Sequence, residues 1–208
     1  RDYSNKSTQK VDAGTDTIGL HIENGNTPFP PDVVAFYSQK SAKQGSQTTL
    51  CDGAELYSAM TPDMQTLFSQ SVIVSRTLPE PLWKTYIANE HPQINSPEQV
   101  TVEHLNQLMQ QVPGQAAELN SKGELLYQLE LNPVLNANGK SSFANAILGP
   151  SFNYEKPRYC FKDGTELNQI LKTQIADLAE EFTVELDWQD GDMVLIDNRR
   201  VMHGRRAI

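Results

Sequence analysis

Strand-forming segments cluster near the two ends of this chain, with a helix-rich stretch between them. Residues 18–21 and 32–38 (D-V-V-A-F-Y-S) read as short apolar strands, the second a buried one rich in Val and aromatics, and residues 48–51 as a third. Residues 183–188 and 193–196 read as strands around the turn Asp190-Gly191-Asp192. Short strands cannot stand alone in water, so the early and late groups must find each other across nearly the whole chain. That requirement points to a mixed α+β chain closed as a sandwich or barrel.

The middle carries helix punctuation. Asp52 or Gly53 opens one helix through Met60. Thr61-Pro62-Asp63 opens another, with a hydroxyl cap, proline at the first helical position and an acid in the first turn. Ser96-Pro97-Glu98 opens a third, running through Val102, Leu105, Leu108, Met109 and Val112 until Pro113-Gly114. Residues 78–123 as a whole look like a helical insertion or lid. Strands return at 72–74, 125–131 and 159–161, and residues 166–181 read as an amphipathic helix.

Composition narrows the function classes. A length of 208 residues with 38% apolar and 21% charged residues suits a single globular domain over residues 1–208. The net charge of −9 leaves no basic excess for nucleic acid or an anionic membrane, and no apolar run is long enough to span a bilayer. The two cysteines, Cys51 and Cys160, cannot build a disulfide scaffold or a four-cysteine zinc site and read as buried thiols.

The four histidines are His21, His91, His104 and His203. In His21-Ile22-Glu23 the histidine and the carboxylate lie two apart, so an extended backbone points both to one side. With His203 they would form a two-histidine, one-carboxylate face, which leaves open positions on Fe(II). The triplet alone decides nothing, because four histidines and 26 acids in 208 residues supply about 0.5 such triplets by chance. It fits equally a solvated loop acid beside a hydrogen-bonded histidine. His91 and His104 read as surface residues, Trp188 and Asn198 as structural ones, and Asp52 and Asp197 as loop caps.

The flanking residues are more specific. His21-Ile22-Glu23-Asn24 leads to Pro30-Pro31-Asp32-Val33-Val34-Ala35-Phe36-Tyr37 and then to Gly45-Ser46-Gln47-Thr48-Thr49-Leu50-Cys51-Asp52-Gly53. Trp188-Gln189-Asp190-Gly191-Asp192 leads to Asp197-Asn198 and then to His203-Gly204-Arg205-Arg206. These two blocks resemble the taurine dioxygenase-like (TauD/TfdA, clavaminate synthase-like) family. The resemblance implies a double-stranded β-helix (jelly-roll) core with a helical insertion, and an oxygenase using Fe(II), 2-oxoglutarate and O2. It implies His21, Glu23 and His203 as metal ligands and Thr48 as a hydroxyl that meets a 2-oxoglutarate carboxylate. Related iron halogenases carry Gly or Ala in place of the acid, so Glu23 favours hydroxylation or desaturation of an unactivated C–H.

The family also places a 2-oxoglutarate-binding Arg ten or more residues beyond the second histidine, whereas this chain stops at Ile208. It carries more sequence before the first ligand as well. The expectation is therefore a piece of a longer protein, trimmed at both ends. Asn145, Arg205 and Arg206 are candidate substrate contacts, with ion pairing or solvent as the alternative for the arginines. The His-x-Glu-Asn and His-Gly-Arg-Arg forms resemble the branch acting on amino acids and natural products, so the expectation is a cytoplasmic enzyme acting on a small-molecule or carrier-bound substrate. Alternatives are sulfonate or small organic-acid catabolism, and a jelly-roll metal-binding protein without turnover.

Overall fold

The computed structural model describes residues 14–91, 93–111, 113–149 and 157–208. The readings of residues 1–13 and of Val112 lie outside that range. The described residues form twelve strands and five α-helices. The first part comprises β1 (Ile18–His21), β2 (Val33–Tyr37), β3 (Thr48–Asp52), α1 (Gly53–Ala59), α2 (Pro62–Phe68), β4 (Val72–Leu78) and α3 (Glu80–Glu90). Next come α4 (Val102–Gln111), β5 (Gln115–Leu119), β6 (Leu125–Leu131), β7 (Val134–Ala137), β8 (Lys140–Phe143) and β9 (Arg158–Phe161). The last are α5 (Gln169–Glu180), β10 (Thr183–Glu185), β11 (Met193–Asp197) and β12 (Val201–Arg205).

The two ends of the chain pair as the strand pattern demands. One sheet has the order β1-β12-β3-β10, and a two-stranded ribbon joins β11 to β2. A second four-stranded sheet has the order β5-β6-β4-β9, and β7 and β8 form a hairpin. All these pairings are antiparallel.

Local chemistry explains several boundaries. Asp52 caps α1 by accepting from the Ala54 N–H, and Thr61 caps α2 by accepting from the Met64 N–H. The β7–β8 turn is Asn138-Gly139, both at positive φ, as a two-residue hairpin turn requires. The apolar sides meet in one cluster running from Ile22 to Met202, with Phe68, Phe143, Leu56 and Ile175 sealed inside.

Three sequence expectations change here. Residues 78–123 are not purely helical: the segment ends in β5, which pairs with β6. Its helices also reach the common core through Trp83, Ile87 and Leu105. The third helix is broken, with Pro97–Gln99 in a 3-10 turn before α4. Finally, β2 is not buried. Val34 and Phe36 turn inward, while Val33, Ala35 and Tyr37 share an exposed outer face with Met193 and Leu195 of β11. Only one face of the β2–β11 ribbon is turned inward.

Candidate metal centre

Strand β12 runs between β1 and β3. Its register sets His203 against His21 on one side and against Leu50 on the other. Cross-strand partners share a face, and side chains alternate along a strand. His21, His203, Leu50, Arg205 and Thr48 therefore line one face. Met202, Gly204 and Cys51 line the other, where the Cys51 thiol lies against the Ala179 carbonyl of α5.

Gly204 is needed between His203 and Arg205. A Cβ there would sit 2.6 Å from the Ile18 carbonyl oxygen and 2.8 Å from Thr49 Oγ1, closer than atoms tolerate.

His21, Glu23 and His203 converge, with one ligand atom from each lying within 4.8 Å of the others. His203 Nε2 faces a Glu23 carboxylate oxygen at 3.6 Å. The rings of His21 and His203 have centroids 4.4 Å apart, and Phe36 packs edge-on against His203 at 4.9 Å. His21 Nδ1 lies 2.8 Å from the Gly19 carbonyl. A carbonyl only accepts, so Nδ1 carries the proton and Nε2 keeps its lone pair free.

The electrostatics suit that tautomer. Burial, reinforced by His203, pushes the His21 pKa down to about 4, against a smaller upward pull from the Gly19 carbonyl and Glu23. The Glu23 carboxyl is held below its ordinary range by the His203 ring facing it, which outweighs burial. A neutral imidazole and an ionised carboxylate are the forms in which these side chains bind a metal. His203 Nδ1 is buried and has no hydrogen-bond partner among the described residues. The three side chains thus fit a hard or borderline divalent ion such as Fe(II).

Two buried asparagines hold this arrangement. Asn198 accepts from the Glu23 N–H at 2.8 Å and donates to the carbonyls of Glu23 (3.1 Å) and Pro31 (2.8 Å). The Asn145 carbonyl accepts from the Ile22 N–H at 3.0 Å. Directly after Glu23, Asn24 takes a left-handed conformation that turns the chain. Sequence reading treats Asn198 as a turn residue and misses its grip on Glu23. Its position beside the His203 block was the available signal.

The other candidates separate. Thr48 lies on the site face opposite Arg205, and its hydroxyl accepts from Trp188 Nε1 at 2.8 Å. Asn145 does not present its amide to a pocket: the side chain is sealed, donating to the Pro133 carbonyl and accepting from the Ile147 N–H. Arg205 is buried and spends one guanidinium nitrogen on the carbonyls of Gly14 and Asp16, so it pins the segment before β1. Arg206 turns to α5 and β10 and pairs with Glu180 and Glu185, which leaves it committed to ion pairs rather than substrate. Cys51 is buried as expected, but Cys160 is only half-buried. His91, directly after α3, and His104, in α4, are half-buried and face each other at 5.3 Å, away from the His21, Glu23 and His203 cluster. Among the described residues no helix is long and apolar enough to cross a membrane.

A search among curated proteins returns no match to the sequence. Among solved structures, the AAD-2 protein in complex with Mn(II) and N-oxalylglycine is similar at a TM-score of 0.52 and 14% identity, covering 91% of this chain and 62% of its own. A putative alpha-ketoglutarate dependent 2,4-D dioxygenase from Burkholderia xenovorans is similar at 0.51 and 16%, covering 91% and 61%. A taurine dioxygenase from Burkholderia xenovorans is similar at 0.53 and 15%, covering 91% and 52%. This chain therefore spans between half and two thirds of the length of those proteins. The family model for the taurine catabolism dioxygenase TauD, TfdA family matches residues 1–208, so the chain belongs to that family.

Proposed function

We propose that this chain is the catalytic part of an Fe(II)- and 2-oxoglutarate-dependent dioxygenase with a jelly-roll core. The convergence of the His21, Glu23 and His203 donors from opposite ends of the chain carries this reading. Family membership supports it, as does the similar fold of AAD-2 in complex with Mn(II) and N-oxalylglycine and of the putative alpha-ketoglutarate dependent 2,4-D dioxygenase.

His21 Nε2, a Glu23 oxygen and His203 Nε2 would hold the metal. Bound there, iron would supply oxygen activation coupled to decarboxylation of 2-oxoglutarate, ending in attack on a substrate C–H. The chain's own part is ligation and orientation. The Gly19 carbonyl fixes the His21 tautomer, Asn198 fixes the backbone of Glu23, and Phe36 shields His203 from water. Thr48 presents its hydroxyl on the same face, two positions along β3 from the residue paired with His203. There it would bind a 2-oxoglutarate carboxylate. The acid Glu23 occupies the position that chloride would need, so the reaction is hydroxylation or desaturation.

The substrate in this reading is a small amino-acid-like molecule, free or carrier-bound, because His-x-Glu-Asn and His-Gly-Arg-Arg resemble that branch of the family. The test is succinate release by protein loaded with Fe(II) and 2-oxoglutarate, with amino acids, sulfonates and phenoxyacids supplied in turn. Amino-acid-dependent succinate is expected, abolished in Glu23→Ala. Full turnover by Glu23→Ala would remove this site from the reaction.

A further inference from the structure

Resting on the reading of Thr48 as a 2-oxoglutarate contact, we infer that Trp188 is a positioning residue that sets the direction of the Thr48 hydroxyl. An indole N–H can only donate, so in the 2.8 Å contact between Trp188 Nε1 and Thr48 Oγ1 the hydroxyl is the acceptor. One lone pair of Oγ1 is thereby occupied, and the O–H must point away from the indole. No acceptor for that O–H occurs among the described residues. A free threonine hydroxyl would rotate between donating and accepting; this one is left with its donor directed outward.

The segment around Trp188 is itself fixed to Thr48. The Leu186 N–H donates to the Thr48 carbonyl at 2.9 Å, extending the β10–β3 pairing, and the indole returns two residues later to the side chain of the same threonine. Residues 186–188 thus hold Thr48 by backbone and side chain together. Thr48 lies on the face that carries His203, so the oriented donor belongs to the metal-binding side of the sheet. A carboxylate only accepts, and a hydroxyl already committed to donating matches it without reorganisation. Trp188 thus tunes co-substrate affinity through Thr48 without touching metal or substrate.

The test is 2-oxoglutarate binding to Mn(II)-loaded protein without oxygen, together with Mn(II) affinity and the melting temperature. Trp188→Phe keeps the ring and removes the N–H. It should weaken 2-oxoglutarate about tenfold while leaving Mn(II) affinity unchanged. Thr48→Ala should weaken it at least as much, and the double variant should be no worse than Thr48→Ala. Wild-type affinity in Trp188→Phe, or additive losses in the double variant, would overturn the inference and leave the dioxygenase reading intact. Failure of the wild-type protein to bind 2-oxoglutarate at all would instead overturn that reading, and the inference with it.

A second measurement covers a Trp188→Phe variant that does not fold. The chain has two tryptophans, so 15N-indole labelling gives two N–H signals. The signal displaced by Thr48→Ala belongs to Trp188. In Zn(II)-loaded wild-type protein it should move when 2-oxoglutarate is added. A signal that stays in place at saturation would count against the inference.

Discussion

At the scale of single residues, the His21, Glu23 and His203 cluster is braced by side chains outside it. Asn198 satisfies three backbone groups of Glu23 and Pro31 from a position with 1% exposure. Replacing it by alanine strands those groups, at a cost of about 1–3 kcal/mol each for any that water cannot reach. Because Glu23 loses its backbone anchor, Mn(II) affinity of Asn198→Ala should fall by about 10- to 100-fold, in the range seen when supports of metal ligands are removed. Calorimetric titration checks this, and unchanged affinity would reduce Asn198 to a packing role. His21, Glu23 and His203 were legible in the sequence because their types and flanking motifs are local. The grip of Asn198 and the indole contact of Trp188 were not, since each joins residues more than a hundred positions apart and neither leaves a periodic signal.

Along β12, alternation divides the work of neighbouring residues. Met202 is fully buried on the packing face, whereas His203 faces the metal-binding side. Met202→Ala should destabilise the protein by about 2–5 kcal/mol, as core truncations do, with little effect on Mn(II) affinity in the remaining folded protein. His203→Ala should do the reverse, losing Mn(II) binding with a smaller stability change. Denaturant melts paired with metal titrations separate the two.

The β3–α1 junction gives a pH-dependent case. Burial would raise the Asp52 pKa, but hydrogen bonds from Arg200 and the Ala54 N–H outweigh it and hold the carboxyl below its ordinary value. A depressed folded pKa contributes stability above the unfolded value, and that contribution is lost as pH falls through the folded one. Melting temperature should therefore drop as pH falls below about 4. Asp52→Asn should be less stable at neutral pH and should show a shallower acid loss. Parallel slopes in both proteins would count against the linkage. The helix starts at α1 and α2 were readable from cap residues, α5 from its apolar periodicity, and most of the strand set from its own pattern. The strands β5, β7, β8 and β12 were not read, although Asn138-Gly139 is a hairpin signal that marks β7 and β8.

For the whole molecule, the binding face exists only when both ends of the chain have met. β1 and β3 come from one end, β10 and β12 from the other, and the sheet cannot form until the intervening chain has closed its loop. Cys51 reports on that closure. It has no exposure, lies on the packing face of β3, and burial pushes its pKa up to about 11. Its thiol should resist alkylation at pH 8 until the sheet opens. The native protein should therefore label faster at the half-buried Cys160, with Cys51 following at a rate that tracks global unfolding in denaturant. Equal labelling rates for both thiols would mean that the sheet opens locally.

By itself the sequence determined the residue types of the His21, Glu23 and His203 cluster, the caps of α1 and α2, most strand positions and the need for the two ends to pair. These follow from local stereochemistry and from hydrophobic periodicity, which a linear chain displays directly. Only the tertiary structure decided which face of β12 looks toward Glu23, that Arg205 and Arg206 are tied to backbone carbonyls and carboxylates, and that Asn145 is sealed inside. Those outcomes depend on strand register. A shift of one residue exchanges the two faces of a strand, and that choice is made by partners far away in the chain.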